Sequence, residues 1–341
     1  MLELYPLRFK PLFQPYLWGG DRLQQEFGKA AEMQPPIAES WEVVDHDDGQ
    51  SLVLAGPLAG KTLGDLMQRD GARLLGDELW RRVSDERVPA HLRGRFPWIF
   101  KFLDARLPLS VQVHPNDRQG SRLTPPDLGK TEAWVVLASD PGSRIYAGLA
   151  PGVDADAFRA AVEAGNTESV LHSFEPKVGD CLFIPAGTVH ALGAGLLIAE
   201  IQQASNTTFR LFDWNRVGAD GKPRALHVQQ GLEVIDFARG PVTPQVATDG
   251  EIAGRECLIA CDKFRMERWR AEALPAKCPT VGAPALVAVL QGEVSLTGDP
   301  LGKPLRRGDT ALIPADVEST LHGNEQSLLL VITPGTIDEG T

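Results

Sequence analysis

Cysteine is scarce in this 341-residue chain, which has only Cys181, Cys257, Cys261 and Cys278. None forms a CxxC pair or stands beside a histidine at zinc-finger spacing. That excludes a disulfide scaffold or a cysteine-ligated zinc module and leaves reduced, mostly buried thiols. Positive charge is also in deficit: 34 Lys and Arg face 45 Asp and Glu, a net charge of −11. Nucleic acid and anionic membranes are therefore not expected as partners, whereas an anionic small substrate needs only local positive charge. No apolar run is long enough to span a bilayer. The first ten residues lack a basic segment followed by an apolar core, so no signal peptide is expected and the cytoplasm is the expected location.

What is present reads as a soluble, mainly β protein. Hydrophobic residues make up 43% and charged residues 23%, as in globular proteins, and the length allows two or three domain-sized units. Short β runs, such as 39–44 and 51–54, are punctuated by 34 glycines and 26 prolines. This is the pattern of antiparallel sandwiches or barrels. Leu63, Leu66, Met67, Leu74, Leu75 and Leu79 recur at three-and-four spacing and predict a helical segment near 63–93. A second helix is expected over 154–164, and 241–249 reads as a linker.

An internal echo refines this. Gly179-Asp180-Cys181-Leu182-Phe183-Ile184-Pro185-Ala186 returns as Gly308-Asp309-Thr310-Ala311-Leu312-Ile313-Pro314-Ala315. Two related β-barrels follow, a catalytic domain over 1–240 and a degenerate one over 241–341. Where the first copy continues to Gly187 and His190, the second has Asp316 and Ser319, so the second barrel is expected to lack a metal ligand.

Four polar residues in the first barrel have the makings of a metal cup. Gln112 and His114 lie two apart in a strand-like run, so their side chains share a face. Glu132 begins a second such run, and His190 follows the turn Pro185-Ala186-Gly187. Two imidazoles, a carboxylate and a carboxamide suit a borderline-soft divalent ion such as zinc or iron, with a coordination position left for water or substrate. The simpler readings stay open: packed histidines, an exposed carboxylate, and a glutamine that only orients substrate.

Gly179, Pro185, Gly187 and His190 match the second signature of the cupin (jelly-roll) barrels, and Gln112-x-His114 with Glu132 resembles the first, with Gln in place of the leading His. Arg106 stands where the first signature has a glycine, and Ala194 where the second closes on asparagine. Four ordered segments sharpen the resemblance. They are Pro97-Trp98-Ile99-Phe100-Lys101-Phe102, Leu109-Ser110-Val111-Gln112-Val113-His114-Pro115, Gly129-Lys130-Thr131-Glu132-Ala133-Trp134 and Asn206-Thr207-Thr208-Phe209-Arg210-Leu211-Phe212-Asp213-Trp214. Together these resemble the type I mannose-6-phosphate isomerases in their short bacterial form.

The resemblance implies one Zn2+ per chain on Gln112, His114, Glu132 and His190, with Arg210 and Lys130 as catalytic residues. It also implies interconversion of mannose 6-phosphate and fructose 6-phosphate by a monomer or homodimer. Moving a proton between C1 and C2 through an enediol(ate) calls for stabilisation of a developing oxyanion, which a metal or a guanidinium supplies. It also calls for a base, either Lys130 or a zinc-bound hydroxide. Arg210 could instead pair with Asp213. Arg216, Lys222 and Arg224 form a loop that either reaches a phosphate or is simply solvated. Two other classes compete with the isomerase: a sugar-phosphate-binding regulator without turnover, and a cupin oxygenase holding iron in the same cup.

Overall fold

The computed structural model describes residues 3–217, 221–278 and 282–336. The middle of the Arg216–Arg224 loop, 218–220, thus lies outside the described residues, as do the first two residues of the N-terminal segment read above.

Two facing antiparallel sheets build the N-terminal part. One runs, in spatial order, Cys181–Ile184, Glu132–Ser139, Leu196–Gln203, Trp98–Ala105, Glu39–Val43 and Leu12–Gln14. The other runs Leu171–Phe174, Ile145–Leu149, His190–Leu192, Val111–Val113 and Phe209–Phe212. Within Glu132–Ser139, Trp134 and Val136 point between the sheets, where they meet Ile145 and Leu192. Ala133 and Val135 point to the opposite face. Both faces of this strand are covered, which is why its sequence is apolar rather than alternating.

The C-terminal part repeats the arrangement. Its six-stranded sheet includes Phe264–Arg270, Leu328–Pro334, Ala285–Gln291 and Thr310–Ile313, and faces a four-stranded sheet that includes Glu293–Leu296 and Thr320–Gly323. Trp269, Val287 and Val331 pack there against Val294 and Leu321. The two six-stranded sheets then press their outer faces together. Phe100, Phe102 and Ile201 share one core with Met266, Leu286 and Ile332. The chain's beginning also crosses over, for Leu7 exchanges both backbone hydrogen bonds with Leu312 at 2.8 Å.

The two halves of the internal echo occupy matching places. Cys181–Ile184 and Thr310–Ile313 are each the last strand of their six-stranded sheet, and each follows a glycine of positive φ, Gly179 at 91° and Gly308 at 87°. In the second copy Ser319 donates to the carbonyl of Thr297 at 2.9 Å.

The long helix is shorter than its spacing suggests. It spans Leu63–Val83, opened by a Thr62–Asp65 capping box and bent at Asp70 and Gly76. Residues up to 93 form turns instead; Pro89 has no N–H to donate and keeps Val88 out of helical conformation. Gly76 has a reason to be glycine. Its φ is +75°, and a β-carbon there would sit 2.0 Å from the carbonyl oxygen of Gly282 in the C-terminal part. The bend also frees the carbonyls of Leu74 and Arg73, which accept from Ala315 (2.9 Å) and Asp316 (3.2 Å). The second helix runs Ala155–Glu163, capped by Asp154. The linker is pinned to the first unit: Val242 donates to Ala147 at 3.0 Å and Gln245 to Cys181 at 2.7 Å.

Candidate active site

Strand register sets three side chains abreast. Gln112 lies directly opposite His190 on one neighbouring strand and Arg210 on the other, and residues opposed in an antiparallel pair share a face. His114 follows at the end of the same strand. Glu132 comes from the facing sheet, in register with Ile184 and Gln202. Across the gap His190 Nε2 is 3.3 Å and His114 Nε2 3.7 Å from the carboxylate of Glu132. One ligand atom from each of these three residues falls within 4.8 Å of the others. Gln112 joins them through its side-chain nitrogen, 3.2 Å from His190 Nε2.

The rings are oriented from behind. His114 Nδ1 lies 2.9 Å from the carbonyl of Thr207, and His190 Nδ1 lies 2.9 Å from that of Thr188. A carbonyl only accepts, so both Nδ1 atoms carry the hydrogen and both Nε2 lone pairs face Glu132. Burial holds both imidazoles neutral: His190 is pushed down to about 4, and His114 well below its ordinary value, with the Lys130 cation adding to the effect. Burial pushes Glu132 the other way, up to about 7, against the nearby Lys130 charge.

Neither oxygen of Glu132 accepts a hydrogen bond, although the residue is fully buried. Lys130 Nζ is 2.9 Å from Oε2, close enough for ion pairing but not in hydrogen-bonding geometry. A buried carboxylate with idle lone pairs is costly unless something fills them. Two imidazole lone pairs and this carboxylate converging in the protein interior fit a divalent metal ion. Gln112 fits less directly, because a carboxamide ligates through oxygen while its nitrogen faces the cluster.

Lys130, buried, also approaches His114 Nε2 at 3.2 Å, so the sequence-predicted lysine touches the cluster itself. Arg210 lines the cleft beyond Gln112, a space of about 350 Å3 that Lys130, His190 and Arg224 also line. Its Nη1 donates to the carbonyl of Ala225 at 3.0 Å, while its buried Nε has no partner. The pairing with Asp213 does not form. That carboxylate is held instead by Arg216 and Arg224, each at 2.5 Å. Of the loop cations, Arg224 reaches the cleft, Arg216 lines a neighbouring one, and Lys222 is exposed.

Sequence reasoning missed three charged residues on the cleft's floor. Lys101 Nζ sits between Glu39 (3.3 Å) and Glu200 (3.2 Å), all three buried. Trp134 Nε1 donates to Glu200 at 3.0 Å, and Trp41 Nε1 to Glu39 at 2.5 Å. Burial alone would strip the proton from Lys101, but the two glutamates hold its pKa above the ordinary lysine value. A signal was available. Each charge interrupts an otherwise apolar run, Trp98-Ile99-Phe100-Lys101-Phe102 and Ile198-Ala199-Glu200-Ile201, and a charge in a strand covered on both faces needs a partner.

The chain is similar to known proteins over most of its length. Residues 6–131 match the phosphomannose isomerase type I catalytic domain. Mannose-6-phosphate isomerase ManA of Bacillus subtilis is 34% identical over 314 residues, 91% of this chain and 93% of its own. A mannose-6-phosphate isomerase of Streptococcus mutans is 31% identical over 318 residues, 92% of this chain and 94% of its own. The crystal structure of the mannose 6-phosphate isomerase from Bacillus subtilis superposes with a TM-score of 0.83 at 26% identity, covering 96% of this chain and 99% of that one. This chain belongs to the type I mannose-6-phosphate isomerase (phosphomannose isomerase) family.

Proposed function

We propose that this chain is a zinc-dependent aldose–ketose isomerase that interconverts mannose 6-phosphate and fructose 6-phosphate through an enediol(ate). The observation that carries the reading is the inward convergence of two Nε2 lone pairs on a buried carboxylate whose oxygens accept no hydrogen bond. His114, Glu132 and His190 would hold the ion, with Gln112 as a fourth ligand once its amide is turned over. A bound divalent ion supplies Lewis-acid stabilisation of negative charge on a substrate oxygen.

The chain's own groups account for the remaining chemistry. In the forward direction a base takes the C2 proton of the open-chain aldose, and the electron pair forms the C1–C2 double bond while charge moves to O1. Return of the proton at C1, with transfer of the O2 proton, gives the ketose. Lys130 is the proposed base, acting as the neutral amine that a divalent ion held beside it would favour, because it is the amine that touches the His114–Glu132 cluster. Arg210 is the proposed partner of the developing oxyanion. It lines the cleft in register with Gln112, and its buried Nε is unpaired. The Lys101 charge is taken up by Glu39 and Glu200. Arg224, which shares Asp213 with Arg216, leaves the cleft with further positive charge that suits an anionic sugar phosphate.

The division into a catalytic unit over 1–240 and a supporting unit over 241–341 goes with this proposal, as do a monomeric or homodimeric state and a cytoplasmic location. No described helix is long and apolar enough to cross a membrane. The test is a coupled assay of purified protein on mannose 6-phosphate, with mannose and glucose 6-phosphate as controls. Turnover of mannose 6-phosphate is expected. Absence of turnover in zinc-loaded protein would overturn the reading.

A further inference from the structure

Asp117 is a hub between the two halves of the molecule. Its Oδ1 accepts from the backbone N–H of Gly129 at 2.8 Å and from the side-chain amide of Gln203 at 2.9 Å. Its Oδ2 accepts from Lys263 Nζ at 2.8 Å, and Lys263 belongs to the C-terminal part. The amide oxygen of Gln203 then accepts from the backbone N–H of Thr131 at 3.0 Å. Thr131 stands between Lys130 and Glu132. Gly129 and Thr131, on either side of Lys130, are thus both held by groups that meet at one carboxylate.

We propose that Lys263 is a positioning residue for the isomerase site, acting through Asp117 to fix the segment that carries Lys130 and Glu132. The inference rests on the isomerase reading for its kinetic part alone. The physical case is one of charge and donor count. The Asp117 side chain is about half exposed, and the desolvation it does suffer pushes its pKa up. The Lys263 cation and its hydrogen bond overcome that and hold it below the ordinary carboxylate value. Without the cation, the same carboxylate would keep two neutral donors on Oδ1 and have only water to anchor Oδ2. It would then be free to rotate toward solvent. That rotation releases Gly129 or Gln203.

Two features make the segment sensitive to such release. Gly129 packs against the backbone of Asn116 and Asp117 so closely that a β-carbon on it would lie 2.5 Å from the Asp117 nitrogen. The loop therefore has a single tight seating. Thr131 Oγ1 also accepts from Ala186 N at 3.3 Å, in the turn that leads to His190. Lys263 itself is fixed, because its backbone carbonyl accepts from Trp98 Nε1 at 3.1 Å and its Nζ also pairs with Asp262 at 2.8 Å. Lys263 meets none of the residues proposed to touch substrate, so its loss should act on the chemical step rather than on binding.

The test compares Lys263→Met and Lys263→Arg with wild type, by steady-state kinetics on mannose 6-phosphate and by amide hydrogen exchange of residues 129–132 in the metal-free protein. For Lys263→Met we expect kcat to fall roughly tenfold, because small misplacements of reacting groups are costly. KM should stay within about twofold, and exchange at Gly129 and Thr131 should accelerate. Lys263→Arg, which keeps the charge and the donor, should restore both. Unchanged exchange in Lys263→Met would overturn the proposal, and so would a loss of kcat that Arg does not restore. An inactive wild-type enzyme would count against the isomerase reading only, since the exchange comparison needs no substrate.

Discussion

Arg210 faces Gln112 in register across two antiparallel strands and lines the same cleft as Gln112 and His190, while forming no ion pair with Asp213. Burial lowers the Arg210 pKa from its ordinary value, and the neighbouring Arg224 cation adds to that; a guanidinium nonetheless remains protonated at any working pH. A half-buried cation without a carboxylate is free to meet an anion formed during reaction. Arg210→Ala is expected to lower kcat by about 10²- to 10³-fold, the range for loss of one oxyanion-stabilising donor. Metal content measured by atomic emission should stay near wild type. Near-normal turnover in this variant would return Arg210 to a structural role.

Glu132 gives a second prediction. Its carboxylate is buried against Lys130 at 2.9 Å, so Glu132→Gln removes both the anionic ligand and that ion pair. Metal affinity should fall by more than the roughly 10- to 100-fold typical of losing a supporting partner. In the wild-type protein a chelator should abolish isomerisation, and zinc should restore it. Because only the folded state offers the assembled cup, zinc should also raise the melting temperature in a concentration-dependent way. Full activity in metal-free protein would remove the metal from the mechanism.

Much of this site could be read from the sequence because its determinants are local. A two-residue interval puts Gln112 and His114 on one face, and the Pro185–Gly187 turn sets up His190. The repeated Gly-Asp turn before Cys181 and Thr310 gave away the second sheet pair for the same reason: a positive-φ glycine feeding an edge strand is a short-range requirement. What could not be read depends on which strands become neighbours. Lys101, Glu200 and Glu39 form one cluster only because strand order places Trp98–Ala105 between Leu196–Gln203 and Glu39–Val43. Lys263 is a stronger case, since its partner Asp117 lies 146 positions away in the other half. The helix expected to run to 93 stops at Val83, where turn-forming residues and Pro89 take over.

Asp104 provides a pH prediction away from the metal site. It is buried, and its Oδ2 accepts from the backbone N–H of Arg22 at 2.7 Å, at the start of the helix Arg22–Phe27. Burial pushes its pKa up to about 6, despite that hydrogen bond and the Arg22 charge. A carboxyl raised above its unfolded value binds more protons in the folded state. Its contribution is therefore fully present below about pH 4 and is lost as pH rises through about 6. Asp104→Asn keeps the acceptor but does not titrate. The variant should match wild type near pH 4 and be more stable at pH 7.5 by roughly 1 to 2 kcal/mol, allowing for screening by nearby solvent. Thermal melts at the two pH values decide the matter, and a wild-type advantage at pH 7.5 would contradict it.

Ile332 tests whether the two sheet pairs form one cooperative unit. It is fully buried in the core that Phe100, Phe102 and Ile201 share with Met266 and Leu286. Truncation to alanine removes three carbons from a close-packed contact between the two six-stranded sheets, at a cost of about 2 to 5 kcal/mol. If that core couples the halves, the loss is borne by both. Urea unfolding of Ile332→Ala should then remain a single transition at lower midpoint, with tryptophan fluorescence and isomerase activity lost together. Trp98 and Trp134 report from the first half and Trp269 from the second, so single-tryptophan versions can follow each half separately. Midpoints that separate, with Trp269 moving first and activity surviving, would show that the C-terminal unit is a detachable neighbour and that the active site stands without it.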